Sequence, residues 1–128
     1  MKDCPSFLLE GNEMKDYRAE IQYKDRTYIL VFDLNVMERI QQEYGSLSEW
    51  GKLSDGSSGE PDAKAVIFGY MEMLNEGIDI QNEENGTNIS FLTHRQVGRM
   101  ITEIGLKHAT EVMNDTVIKS AQSEEKNA

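Results

Sequence analysis

The two histidines are the side chains best suited by type to acid–base or metal chemistry. His94 and His108 lie fourteen positions apart. On one helix this is a separation of roughly 21 Å, too far for both to hold one metal ion. We expect His94, in the first turn of a predicted helix, to be exposed, and His108, on an apolar stripe, to lie in the core or an interface. Cys4 falls in a predicted tail, where neither histidine is placed to activate it.

Other sequences that could do chemistry fail on closer reading. Asp79 to Glu84 is superficially similar to a calcium-binding loop, but Glu84 stands where the sharp-turn glycine belongs and Ser90 where a bidentate glutamate belongs. The run from Gly56 to Gly59 lacks the lysine of a phosphate-binding loop. Carboxylate pairs are numerous, but none stands in an apolar setting that would separate two pKa values. We therefore predict that the protein is not an enzyme and holds no cofactor or metal.

Composition limits the classes of partner. The chain has 128 residues, which suits one domain, and its 23 Asp and Glu against 13 Lys and Arg give a net charge of −10. This charge argues against nucleic acid as a partner, since phosphate binding needs clustered cations. No apolar run approaches the ~20 residues of a membrane helix, and no signal peptide is recognisable. The sequence therefore predicts a cytoplasmic protein with no membrane or nucleic-acid partner.

The stretch from Tyr28 to Gly45 is the element around which the rest is expected to form. Its aromatic and β-branched start predicts a strand, and Asp33 is expected to cap a helix that ends at Gly45. The alternating pattern of residues 18–23 predicts an antiparallel partner strand, with the turn at Lys24-Asp25 or Asp25-Arg26. The free edge of this hairpin is a second candidate binding site, through strand addition.

Three main helices are expected to cover the hairpin. The first follows Asp33, the second runs from Pro61 to about Glu76 with Gly77 as its stop, and the third begins at Thr93 and continues to about residue 119. A short helical turn between the first two carries Trp50, and residues 78–91 are expected to form a polar connection. The predicted fold is α+β, an N-terminal antiparallel β-hairpin packed against a bundle of about three main α-helices.

The domain boundaries follow from the unpatterned ends. We predict a flexible N-terminal tail at 1–16, a single α+β domain at 17–119 and a disordered C-terminal tail at 120–128. Met14-Lys15-Asp16 repeats Met1-Lys2-Asp3, and we expect the natural start to be Met14. A protein mass that begins at Met1 in the native host would contradict this expectation.

Apolar residues off the main helical stripes are the positive functional signal. The second main helix is apolar nearly all round, so it is either central to the fold or half covered by another chain. Phe68 and Met71 lie off its main stripe, and Trp50 follows a short turn. Either the hairpin and Trp50 cover these side chains within the monomer, or Trp50, Phe68 and Met71 form a surface for a partner or for self-association.

The order of these elements resembles the small tail assembly chaperones of siphophages and prophages over roughly residues 17–105. In that family a strand runs into a capped turn and a helix that ends at glycine, followed by a second helix and by a Leu-Thr pair that opens a third. The matching positions here are Phe32, Asp33, Leu34, Asn35 and Gly45, then Leu74 and Gly77, then Leu92, Thr93, Val97, Gly98 and Ile101.

The resemblance implies a non-catalytic role in phage tail morphogenesis. Such proteins bind the tape-measure protein, prevent its apolar helices from aggregating and help to recruit tail-tube subunits, and they are absent from the mature virion. The alternative is an acidic regulatory protein of a mobile element that sequesters a basic or DNA-binding partner. The chaperone predicts an apolar contact that tolerates salt, whereas the regulator predicts a contact that salt disrupts.

Overall fold

The computed structural model of the chain describes residues 17–57 and 59–127. The predicted N-terminal tail and the expected start at Met14 lie outside the described residues. The described part is a two-stranded antiparallel hairpin followed by five helices, so the predicted α+β class is confirmed and the estimate of about three helices is too low. The elements are β1 (Ala19–Tyr23), β2 (Arg26–Leu30), α1 (Leu34–Tyr44), α2 (Leu47–Ser54), α3 (Ala63–Asn85), α4 (His94–Ile104) and α5 (Leu106–Asn127).

The hairpin and the junction that follows it match the sequence prediction. Tyr23 pairs with Arg26, so Lys24 and Asp25 form the two-residue turn, and Lys24 adopts a φ of 55°. After β2 the chain is buried through Phe32, and Asp33 accepts a hydrogen bond from the backbone N–H of Val36 at 3.2 Å. These local signals fix the direction in which α1 leaves the sheet.

Helix α3 is the central element of the core. It packs against β2 and against α1, α2, α4 and α5, which explains why its sequence is apolar on nearly every side. The fully buried side chains around it come from β2, from the segment that follows β2 and from all five helices of the described chain. They include Leu30, Phe32, Ile40, Trp50, Tyr70, Met73, Leu74, Met100 and Met113.

The prediction that α3 ends at Gly77 is wrong. The helix continues for two further turns to Asn85, and Gly86, with a φ of 66°, provides the C-terminal cap. Gly77 is instead a point of close approach, because a Cβ placed there would clash with the backbone carbonyl of Ile29. The same contact between β2 and α3 includes a hydrogen bond from the Val31 N–H to the Met73 carbonyl at 3.3 Å.

The predicted third helix is two helices. The capping box of Thr93 and Gln96 opens α4 as expected, but Gly105 ends it with a φ of 106° and α5 starts at the next residue. Helix α5 runs to Asn127, beyond residue 120, where the sequence predicted a disordered tail to begin. A stripe of small and apolar side chains faces the core as far as Ser120; it consists of Ala109, Met113, Thr116 and Ser120.

Candidate partner-binding groove

An open groove of about 640 Å³ lies between α1 and α3. Its third side is the segment at residues 91–92, which precedes α4. We call this feature the α1/α3 groove. From α3 it includes Met71 and, further along the same face, Asp79. These two residues are eight positions apart, so the groove follows α3 for about 12 Å, or roughly two helical turns.

Two asparagine side chains on α3 hold the third side of the groove in place. Asn75 accepts from the Leu92 N–H at 2.8 Å and donates to the Leu92 carbonyl at 3.0 Å. Asn82 lies seven positions further along the same face of α3. It makes the same pair of hydrogen bonds with the backbone of Ile89, at 2.9 and 3.0 Å. Each amide therefore satisfies both polar groups of one backbone residue, as a neighbouring strand would. The segment is fixed along α3 without regular secondary structure.

The inner part of the groove is apolar. Val36 is buried, and Met71 and Leu92 are half-buried beside it. At the opening, Phe91 keeps 56% of its surface exposed, and Leu34, next in the chain to the lining residue Asn35, keeps 66%. Exposed large apolar side chains beside a concave apolar surface are typical of a site for another molecule.

The rim of the groove is acidic. Glu38 stands on the α1 side, Glu72, Glu76 and Asp79 stand on the α3 side, and Arg39 is the one cation among the lining residues. Arg39 is already paired with Glu72, at 3.6 Å between Nη2 and Oε2. Among the residues that the structure describes, no lysine or arginine lies at ion-pair distance from the other three carboxylates.

The carboxyl group of Glu76 has a raised pKa. Burial beside α1 and a hydrogen bond with Asp33 raise the pKa of Glu76 to about 7, because both favour the protonated form. The Asn35 side-chain amide opposes this shift by donating to Glu76 Oε2 at 3.0 Å. The groove therefore contains a carboxyl group that changes its charge close to neutral pH.

The three predicted contact residues are separated by the fold. Met71 lines the groove, and Phe68, one turn earlier on α3, packs edge-on against Tyr44 with the ring centroids 5.6 Å apart. The expectation that Trp50 contacts a partner is corrected by the structure. Only 2% of Trp50 is exposed, and its indole N–H donates to the Ala65 carbonyl at 2.9 Å. Its ring occupies the space left by the missing side chain of Gly69. Trp50 is part of the core and offers no surface to a partner.

Sequence reasoning missed Phe91, Leu92 and Asn75. Residues 78–91 were predicted to be a polar connection, which concealed both the end of α3 and the fixed segment after it. Asparagine is a poor helix former, and two of them seven positions apart on a continuous helix lie on one face. This spacing was the one signal in the sequence that the two side chains bind polar groups of a neighbouring segment.

The histidines have no role in the groove. Both are exposed, as predicted for His94 but not for His108, which lies on the outer side of α5. In the described ranges there is no group of three or more His, Cys, Asp or Glu side chains arranged to hold a metal ion. Nor does any helix in these ranges have the length and apolar character needed to cross a membrane.

Comparison with known proteins does not assign a family. The chain matches no protein-family model, no curated protein and no solved structure.

Proposed function

We propose that the protein is a phage tail assembly chaperone that acts by binding, without catalysis, in the host cytoplasm. Its main partner would be the tape-measure protein, with tail-tube subunits as further partners. The observation that carries the proposal is the α1/α3 groove, in which Met71 and Leu92 line an apolar interior and Phe91 is exposed at the opening. A groove of this kind suits an amphipathic helix, which lays its apolar face against such a surface.

Methionine is well suited to this task. Its side chain is flexible and polarizable, so it can adapt to several partner sequences rather than to one shape. A chaperone for a long protein with many apolar helical segments needs such tolerance. Phe68 would contribute from the neighbouring turn of α3, where Tyr44 covers one part of its ring.

A co-expression pull-down with the tape-measure protein encoded beside this gene tests the proposal. Wild-type protein should retain the partner in low and high salt, because the apolar contact is not screened. Met71→Ser should weaken binding by about five- to thirtyfold, since it removes roughly 1–2 kcal/mol of apolar burial in the complex. Ile118→Ser is the matched control, because Ile118 is 54% exposed on α5, away from the groove.

The outcomes separate the chaperone from its rival. Both variants must keep the wild-type circular dichroism spectrum and Tm for the comparison to count. Binding that survives only in low salt and ignores Met71→Ser would favour the acidic regulator of a mobile element. Absence of binding in either salt, with the fold intact, would overturn the chaperone.

A further inference from the structure

The distribution of charge around the α1/α3 groove indicates which helices it would accept. Carboxylates stand on both sides of the apolar interior, Glu38 on α1 and Asp79 on α3. In the described chain neither of the two has a cationic partner. An occupant that fills the interior therefore brings its own flanking groups close to unneutralised negative charge on two sides.

We propose that the α1/α3 groove receives an amphipathic helix whose apolar stripe is bordered on both sides by lysine or arginine. The inference rests on the proposed function for the identity of the partner protein, and it specifies which segments of that protein are bound. The apolar stripe contacts Met71, Phe91 and Leu92, and the cations reach Glu38 on one wall and Asp79 on the other. Lysine and arginine suit this position because their aliphatic stems cover apolar surface while their charged ends reach the rim.

The length of the groove and the negative charge of its rim disfavour occupants other than a basic amphipathic helix. About 12 Å along α3 matches two turns of a helix, which presents two or three apolar side chains at i, i+3 or i+4 and i+7. Anionic lipid surfaces and nucleic acids would be repelled by the rim and by the net charge of −10. An acidic amphipathic helix would fit the shape equally well, but it would place like charges together at both walls.

A pair of double variants with the same net charge tests the charge requirement. Glu38→Lys with Asp79→Lys reverses the rim, and Glu20→Lys with Glu111→Lys reverses two exposed carboxylates on β1 and α5, outside the groove. The measurement is the Kd of each purified full-length variant for the tape-measure protein. The rim variant should bind about tenfold more weakly or worse, and the control variant should change by less than about threefold.

Two results would overturn the inference while leaving the chaperone intact. If both double variants lose affinity equally, the overall charge attracts the partner and the rim has no special role. If neither loses affinity, the partner binds elsewhere on the molecule. Both results require that the wild-type protein binds the tape-measure protein, so they are distinct from failure of the proposed function.

A synthetic probe tests the groove without the tape-measure protein. The probe is an amphipathic peptide of leucine and lysine, and its counterpart is the same peptide with glutamate in place of lysine. In ¹³C-methyl spectra of the full chain, the lysine peptide should shift the signal of Met71 and leave that of buried Met113 unchanged. The glutamate peptide should shift neither.

The probe keeps the two proposals separable. A Met71 signal that ignores the lysine peptide, or responds equally to both peptides, would overturn the inference. A Met71 signal that responds only to the lysine peptide would support it even if the tape-measure protein fails to bind. In that case the proposed function would be wrong and the groove would serve another basic amphipathic helix.

Discussion

Glu76 and Asp33 bring two carboxyl groups together where the chain passes from β2 to α1 against α3. Asp33 is needed there, because it caps α1 through the Val36 N–H at 3.2 Å. Glu76 is half-buried on α3, and burial and the hydrogen bond with Asp33 raise its pKa to about 7. The other charged groups that line the groove are Glu38, Asp79 and the Arg39–Glu72 pair. No cation is placed to relieve the carboxyl pair within the described chain.

This pair predicts a pH-dependent stability. A carboxyl whose folded pKa is raised favours the folded state only while it is protonated, so its ionisation destabilises the fold as pH rises from about 4.5 to about 7. Glu76→Gln keeps an acceptor for Asn35 and removes the charge. The free energy of unfolding of the variant should therefore rise relative to that of the wild type between about pH 4.5 and pH 7. Above pH 7 the difference should stay at about 1 kcal/mol, because solvent screens part of the repulsion.

Urea unfolding at pH 4.5, 6 and 8 measures this difference. Glu83→Gln is the control, because Glu83 is exposed on the same helix, and its effect on the free energy of unfolding should be small throughout. A stability gain for Glu76→Gln that is the same at all three pH values would contradict the proposed cause.

At the scale of elements, α3 approaches the backbone of β2 closely at Gly77. Gly77 leaves room for the Ile29 carbonyl, and the Val31 N–H adds a hydrogen bond to Met73. Gly77→Ala should destabilise the protein by about 2–4 kcal/mol, because the backbone of one element must move away from the other. Gly51→Ala is the matched control: Gly51 lies in α2 with open space around it, and alanine should there stabilise the helix by about 1 kcal/mol.

Thermal and urea unfolding of the two glycine variants measures the change in the free energy of unfolding, which should be a loss for Gly77→Ala and a gain for Gly51→Ala. If Gly77→Ala is neutral or stabilising, then Gly77 acts only as a weak helix former and the close approach does not constrain the fold. Opposite signs for the two variants would identify the contact with β2, rather than helix propensity, as the reason for glycine at position 77.

These elements also show what the sequence can and cannot predict. The caps at Asp33 and Thr93 were predicted because each signal and its consequence lie within four residues. Gly77 and Gly105 are both glycines within apolar helical patterns, yet one lies within a helix and the other separates two helices. The difference depends on what is nearby in space, Ile29 for Gly77, and a one-dimensional pattern does not contain that information.

The candidate site was predictable to the same limited extent. Met71 could be assigned to a surface off the main stripe because helical periodicity gives each residue a direction. Trp50 could not be placed, since a short helix can turn a large aromatic inward or outward and only the gap at Gly69 decides. The acidic rim was hidden among many other carboxylates. Its unneutralised character depends on which cations the fold places elsewhere.

For the whole molecule, two electrostatic effects oppose each other. The net charge of −10 destabilises the compact state by self-repulsion, and surface ion pairs such as Arg18–Glu84 and Lys64–Glu43 stabilise it. Salt weakens both effects. Exposed pairs contribute little individually, about 0–1 kcal/mol, so we expect the repulsion to dominate.

The Tm of the wild-type protein should therefore rise as KCl is increased from about 20 mM to about 300 mM, over which the Debye length falls several-fold. A rise of roughly 3–6 °C would correspond to about 1 kcal/mol of relieved repulsion. The Glu20→Lys/Glu111→Lys variant has a net charge of −6 instead of −10. It should start with a higher Tm and gain less from salt. A Tm that falls with salt in both proteins would mean that the ion pairs stabilise the fold more than the excess charge destabilises it. The carboxylates of the groove rim would then destabilise the free protein less than the net charge suggests.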